Sequence, residues 1–191
     1  MQKKYLTAFF MMFFGFMLMA QIDNEAKICG NKNSYALAVN WQDKLYFAVP
    51  SHVLFTDTPP KINYNDKEYR ISRYYLSSLR DFALLEAESL TLKEIPTAFK
   101  LEKSELPAVQ ENFYFRFELS DSALKNYNDL KGKSGKVIVI NDRIGLFQGY
   151  LFNTMSSKII YLAVVLKIFP NELQEVDFEI IRAEFLAKQS L

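Results

Sequence analysis

A succession of short, turn-bounded segments rich in β-branched and aromatic residues constrains this fold more than any other feature. The segments are Tyr35–Asn40, Lys44–Val49, Glu68–Ser72, Phe82–Ala87, Asn112–Glu118, Lys136–Ile140, Arg143–Phe147 and Ile159–Leu166. Asn, Asp, Gly, Pro and Ser stand between them, and these residues end strands and make turns. Asn112–Glu118 closes on Phe115-Arg116-Phe117-Glu118, an apolar/charged alternation that predicts one buried and one wet face. Asn141-Asp142 lies between two of the runs and suits a tight hairpin. Helical spacing is confined to the tail, from Asn171 to Lys188, where Leu173, Val176, Ile180 and Phe185 recur and Pro170 suits a helix entry. Many short strands and little helix predict an all-β sandwich or barrel.

The core must hold this fold without covalent help. Half of the residues are apolar and 17 are Phe, enough to bury a sizeable interior. Residues 1–20 read as a secretory signal peptide, with Lys3 and Lys4 ahead of an apolar stretch from Tyr5 to Ala20. Leu18 stands where a small residue is preferred three positions before the cut, so an uncleaved membrane anchor is the alternative. The leader holds two lysines and no acidic residue, which leaves 171 residues with 21 basic and 22 acidic side chains, net −1. That length allows one domain or two small sub-domains sharing an interface. A near-neutral balance gives no electrostatic footprint for nucleic acid. Export is expected, to the periplasm or the extracellular space, yet Cys29 is the lone cysteine. No intramolecular disulfide is available, and the scarcity of Cys and His argues against a zinc site. No metal and no cofactor are implied.

Chemistry enters through the lone histidine, His52, at the end of the apolar run Leu45-Tyr46-Phe47-Ala48-Val49. Asp81 precedes a second apolar run, Phe82-Ala83-Leu84-Leu85, and Ser134 sits between Gly132-Lys133 and Gly135. Each residue has an ordinary explanation: a hydrogen-bonded histidine at a strand end, a surface aspartate capping a strand, and a serine in a glycine turn. Together they hold what an activated serine needs. A base must take its proton, a carboxylate must orient that base, and backbone donors must hold the resulting oxyanion. Glycines flanking Ser134 allow the backbone angles of a tight, exposed loop. A phosphate-binding loop ending at Gly132-Lys133-Ser134 is excluded, because Tyr127 occupies its first glycine position.

In that order and those settings, the three blocks resemble the trypsin/chymotrypsin-like serine peptidases. Ala48-Val49-Pro50-Ser51-His52-Val53 is similar to the family's histidine block, Asp81-Phe82-Ala83-Leu84-Leu85 to its aspartate block, and Gly132-Lys133-Ser134-Gly135 to its serine block. Ile144-Gly145-Leu146 matches the strand that follows, and the resemblance spans residues 33–188. It implies two antiparallel β-barrels of the chymotrypsin type with a C-terminal helix. Residues 21–95 would form the barrel carrying His52 and Asp81. Residues 96–110 would be a linker, and residues 111–191 would form the barrel carrying Ser134. The resemblance further implies a secreted endopeptidase acting on peptide or protein substrates. His52, Asp81 and Ser134 would be the triad. The N–H groups of Gly132 and Ser134 would form the oxyanion hole. Phe147, Gln148, Gly149 and Tyr150 would line the specificity pocket, with its floor near Tyr127-Asn128-Asp129.

The sequence also departs from that pattern. Lys133 stands where the family usually has Asp or Asn, which rules out pairing with a freed N-terminal amine. Lys136 replaces a second glycine, and Val137 replaces a common proline. The interval from Asp81 to Ser134 is short, so loops must be trimmed. These departures define the alternative: a catalytically inactive, peptidase-like binding protein. An unrelated exported β-protein, with the three residues far apart, is the remaining alternative.

Overall fold

The computed structural model describes residues 24–29, 34–105, 113–117, 132–140, 143–153 and 158–189. The leader, the Asn141-Asp142 turn, Tyr127-Asn128-Asp129 and residues 106–110 of the expected linker lie outside the described residues.

Six strands of the first half close on themselves. They are β1 (Glu25–Cys29), β2 (Ser34–Trp41), β3 (Lys44–Val49), β4 (Lys61–Tyr64), β5 (Lys67–Ser77) and β6 (Ala83–Ala87). Each pairs antiparallel with its neighbours in the order β1-β4-β5-β6-β3-β2, and β2 returns to β1. The result is a closed six-stranded antiparallel barrel. Two tight hairpins set its registers. Gln42-Asp43 and Asn65-Asp66 both have positive φ at each position (53° and 58°; 50° and 59°), the left-handed pair that matches strand twist in a two-residue loop.

Side-chain alternation then divides the strands between two cores. Ala36, Ala38, Phe47, Val49, Ala83 and Leu85 share one buried cluster with Ile28, Ile62 and Tyr74, so all six strands fill the barrel. The intervening residues Leu37, Val39, Tyr46, Ala48 and Leu84 face outward, yet they are buried too. They pack with Leu146, Val164 and Ile168 from the second half. Burial on both faces is why these strands read as continuous apolar runs.

The second half is also antiparallel β-structure. Its strands are β9 (Tyr114–Phe117), β10 (Val137–Ile140), β11 (Arg143–Asn153) and β12 (Lys158–Val165), in the order β10-β11-β12-β9. Phe115, Phe117, Ile138, Phe147 and Tyr161 make a third core. Among the described residues these strands form a four-stranded sheet and not a second closed barrel. Two short strands within residues 96–110 touch both halves. β7 (Phe99–Lys100) runs parallel to β2, and β8 (Glu102–Lys103) runs parallel to β13 (Lys167–Ile168).

The tail differs from the sequence expectation. The helix α1 covers Phe178–Gln189, and Leu173–Val176 is instead strand β14, antiparallel to β5 from Tyr74 to Ser77. Leu173 and Val176 have helical spacing, but the unpaired end of β5 offers their backbone a ladder. Phe178 and Ile181 of α1 pack against the barrel core.

Candidate active site

The barrel itself brings His52 to Asp81. β3 and β6 are antiparallel, with Val49 opposite Ala83. Residues just past the end of β3 therefore face residues just before the start of β6. His52 lies there on a single 3₁₀ turn, Ser51–Leu54, entered through Pro50 at φ −64°. Asp81 lies across from it, ahead of Phe82.

Three donors converge on the Asp81 carboxylate. The Ser51 hydroxyl and the His52 backbone N–H both donate to Oδ1, at 2.7 and 2.9 Å, and His52 Nδ1 lies 2.6 Å from Oδ2. Burial opposes the charge on Asp81. The His52 ring, the Ser51 hydroxyl and the His52 N–H outweigh that opposition and hold the carboxyl below its ordinary value. A carboxylate only accepts, so Nδ1 carries a proton, and in a neutral ring Nε2 is then the acceptor.

Ser134 is supplied by the second half. Its Oγ lies 3.0 Å from His52 Nε2. Two backbone bonds secure the loop from both sides: Tyr35 N–H donates to the Ser134 carbonyl at 2.8 Å, and Gly135 N–H donates to the Phe147 carbonyl at 2.8 Å. Gly135 has φ +88°, and any side chain there would run into the Tyr35 carbonyl. The second glycine of the block is therefore required by close approach as well as by backbone angle. Among the described residues, the loop's backbone bonds engage the carbonyls of Lys133, Ser134 and Lys136 and the N–H groups of Gly135 and Lys136, and not the N–H of Gly132 or Ser134.

The remaining sequence candidates lie along β11. Phe147 is buried in the third core, and its carbonyl faces the Ser134 loop. The β11–β12 register shifts between Phe147 and Gly149, so Gln148 is a bulge residue without a strand partner. Its carbonyl is 3.4 Å from Ser134 Oγ, and both atoms of its side-chain amide are buried and unpaired. Tyr150 is half exposed beside Tyr161.

Other contributors carried no local signal of this role. Ser51 is one, placed beside His52 by the 3₁₀ turn. Tyr114 of β9 is another, its hydroxyl accepting the Asp81 N–H at 2.9 Å. Arg80 and Glu172 form a third, a fully buried ion pair behind Asp81 with Nη2 to Oε1 at 2.8 Å. Lone charged residues in loop-like stretches give no sign of burial.

Comparisons with protein-family models, with curated proteins and with solved structures find no match to this chain.

Proposed function

We propose that this protein is an exported serine endopeptidase, a compact and divergent relative of the trypsin/chymotrypsin-like enzymes. One observation carries the reading. Ser134 Oγ, both ring nitrogens of His52 and the Asp81 carboxylate form a continuous hydrogen-bonded line, at 3.0 and 2.6 Å. Residues separated by 82 positions lie in the order that acyl transfer requires.

The chemistry follows from those atoms. Ser134 Oγ attacks a peptide carbonyl carbon while its proton passes to His52 Nε2. Asp81 holds the imidazole ring and stabilises the cation that forms. The N–H groups of Gly132 and Ser134 take the developing oxyanion. Nε2 then delivers its proton to the departing amine, and the acyl group stays on Ser134. Water attacks next, giving its proton to Nε2, and the product acid leaves as Oγ regains its hydrogen. Gln148, Gly149 and Tyr150 border the path of the substrate chain, beside Phe147. In this reading β9–β12 belong to a second barrel, and residues 1–20 direct export. A membrane association would arise only from an uncleaved leader.

A binding protein on the same scaffold is the second reading. Lys133 and Lys136 favour it, since they flank the loop that must aim two N–H groups at one point. Fluorophosphonate labelling separates the two. The enzyme reading expects stoichiometric labelling that Ser134→Ala and His52→Ala each abolish. Peptide turnover should fall by about 10⁶-fold in Ser134→Ala. Folded wild-type protein that resists the probe would support the binder, or a form awaiting activation.

A further inference from the structure

The residue before Asp81 is tied down more heavily than its neighbours. The Arg80 guanidinium is fully buried and spends its N–H groups on fixed acceptors. Nε donates to Glu172 Oε2 at 3.0 Å, Nη2 to Glu172 Oε1 at 2.8 Å and to the Lys167 carbonyl, and Nη1 to the Val165 carbonyl at 2.5 Å. Phe82 and Phe169 cover the guanidinium, its carbon 4.5 and 4.8 Å from their centroids. These acceptors all come from the second half of the chain.

Glu172 extends the grip to the whole loop. Its carboxylate also accepts from the Ser77 hydroxyl at 3.3 Å and from the Phe169 N–H at 3.2 Å. Its carbonyl accepts the Ser78 N–H at 2.8 Å. Ser77 Oγ in turn accepts the N–H of Leu79 and of Arg80, at 3.1 and 3.2 Å. With Asp81 N–H on Tyr114, and Ser77 and Phe82 N–H on loop carbonyls, every N–H from Ser77 to Phe82 has an acceptor.

Stability alone does not account for this arrangement. A buried ion pair is frequently no better than apolar residues of the same size. What a two-pronged pair provides is fixed direction. Consecutive Cα atoms are about 3.8 Å apart, so fixing Arg80 fixes the start of Asp81. The carboxylate of Asp81 must meet a ring nitrogen at 2.6 Å.

We propose that Arg80 and Glu172 are positioning residues. Together they hold Asp81 within hydrogen-bond reach of His52, and so make the orientation of the imidazole depend on the second half of the chain. The kinetic part of this inference rests on the peptidase reading; the geometric part does not.

Because His52 is the lone histidine, its ring proton can be followed without assignment by mutation. The purified full chain is studied as wild type, Arg80→Lys, Glu172→Gln and the paired Arg80→Met/Glu172→Leu. The paired change leaves no lone charge behind if either single variant unfolds. Fold is checked by amide NMR dispersion. The low-field Nδ1 proton of His52 and the rate of fluorophosphonate labelling are then measured on the folded variants. The low-field proton should be present in wild type and lost or exchange-broadened in the folded variants. Labelling should slow by about 100-fold, the effect of roughly 1 Å of misplacement. A folded variant that keeps both the proton and the wild-type rate overturns the inference, as does absence of the proton in wild type. A wild type that shows the proton but is not labelled refutes the peptidase reading, while loss of the proton in the variants still upholds the positioning role.

Discussion

Gly135→Ala tests how the Ser134 loop is held. The backbone there has φ +88°, which costs an L-residue about 1–2 kcal/mol. The new methyl would also overlap the Tyr35 carbonyl and crowd Pro50. Relief requires the loop to move away from β2. That movement breaks the bond from Tyr35 N–H to the Ser134 carbonyl and strains the one from Gly135 N–H to Phe147, each about 1 kcal/mol. The expected loss is about 3–4 kcal/mol, a large part of the 5–15 kcal/mol typical of a folded domain. Two other glycines serve as controls. Gly132 has φ +78° with nothing within 4 Å of an added Cβ, so Gly132→Ala should cost only the backbone term, about 1–2 kcal/mol. Gly149 has open space and no positive φ, so Gly149→Ala should change stability by under about 0.5 kcal/mol. Urea denaturation gives the three values, and probe labelling at Ser134 should drop about 100-fold in Gly135→Ala. Equal midpoints for the Gly135 and Gly132 variants would refute the close-approach argument.

Other outcomes follow from the same contacts. Tyr74→Phe removes a buried hydroxyl that has no partner and whose burial pushes its pKa up to about 12. The variant should gain about 1 kcal/mol in urea unfolding, and a loss would mean the hydroxyl is served. Ser51→Ala deletes one of three donors to Asp81. Labelling should slow about tenfold, a rate loss of about 1.4 kcal/mol, and an unchanged rate would remove Ser51 from the site. Asp81 has a lowered pKa in the folded state, so its contribution to stability is complete above its ordinary value of 3.8 and disappears as pH falls through the lower folded value. The stability advantage of wild type over Asp81→Asn should therefore shrink below pH 3.8, and a constant advantage down to acid unfolding would contradict that sign.

Much of the barrel was readable because its strands carry their own pattern. Lys44–Val49 has the same bounds in sequence and structure, and Tyr35–Asn40 differs from β2 by one residue at each end. Burial on both faces made them unmistakably apolar. β1 and β4 gave weaker signals: Glu25-Ala26-Lys27-Ile28-Cys29 and Lys61-Ile62-Asn63-Tyr64 alternate over only a few residues, with small or polar side chains between. Leu173–Val176 was misread because its spacing fits a helix, whereas its state is set by the edge of β5. At the site, His52, Asp81 and Ser134 could be named because each ends or begins an apolar run or a glycine turn. Their meeting is visible only in three dimensions. Arg80 and Glu172 carry no local sign of burial, since the partner that buries each lies 92 positions away.

That separation has a consequence for how the protein is made. Chains leave the ribosome from the N-terminus, and early segments fold first. His52 and Asp81 emerge long before Glu172, and β14 must still arrive to pair with β5 beside the Asp81 loop. Such distant pairings form slowly, because loop closure comes before the contacts that reward it. On the positioning role proposed for Arg80 and Glu172, a chain whose Glu172 has not yet docked holds a loose carboxylate and an unaligned imidazole. In the peptidase reading, a chain that has not yet brought Glu172 to Arg80 keeps Ser134 chemically quiet.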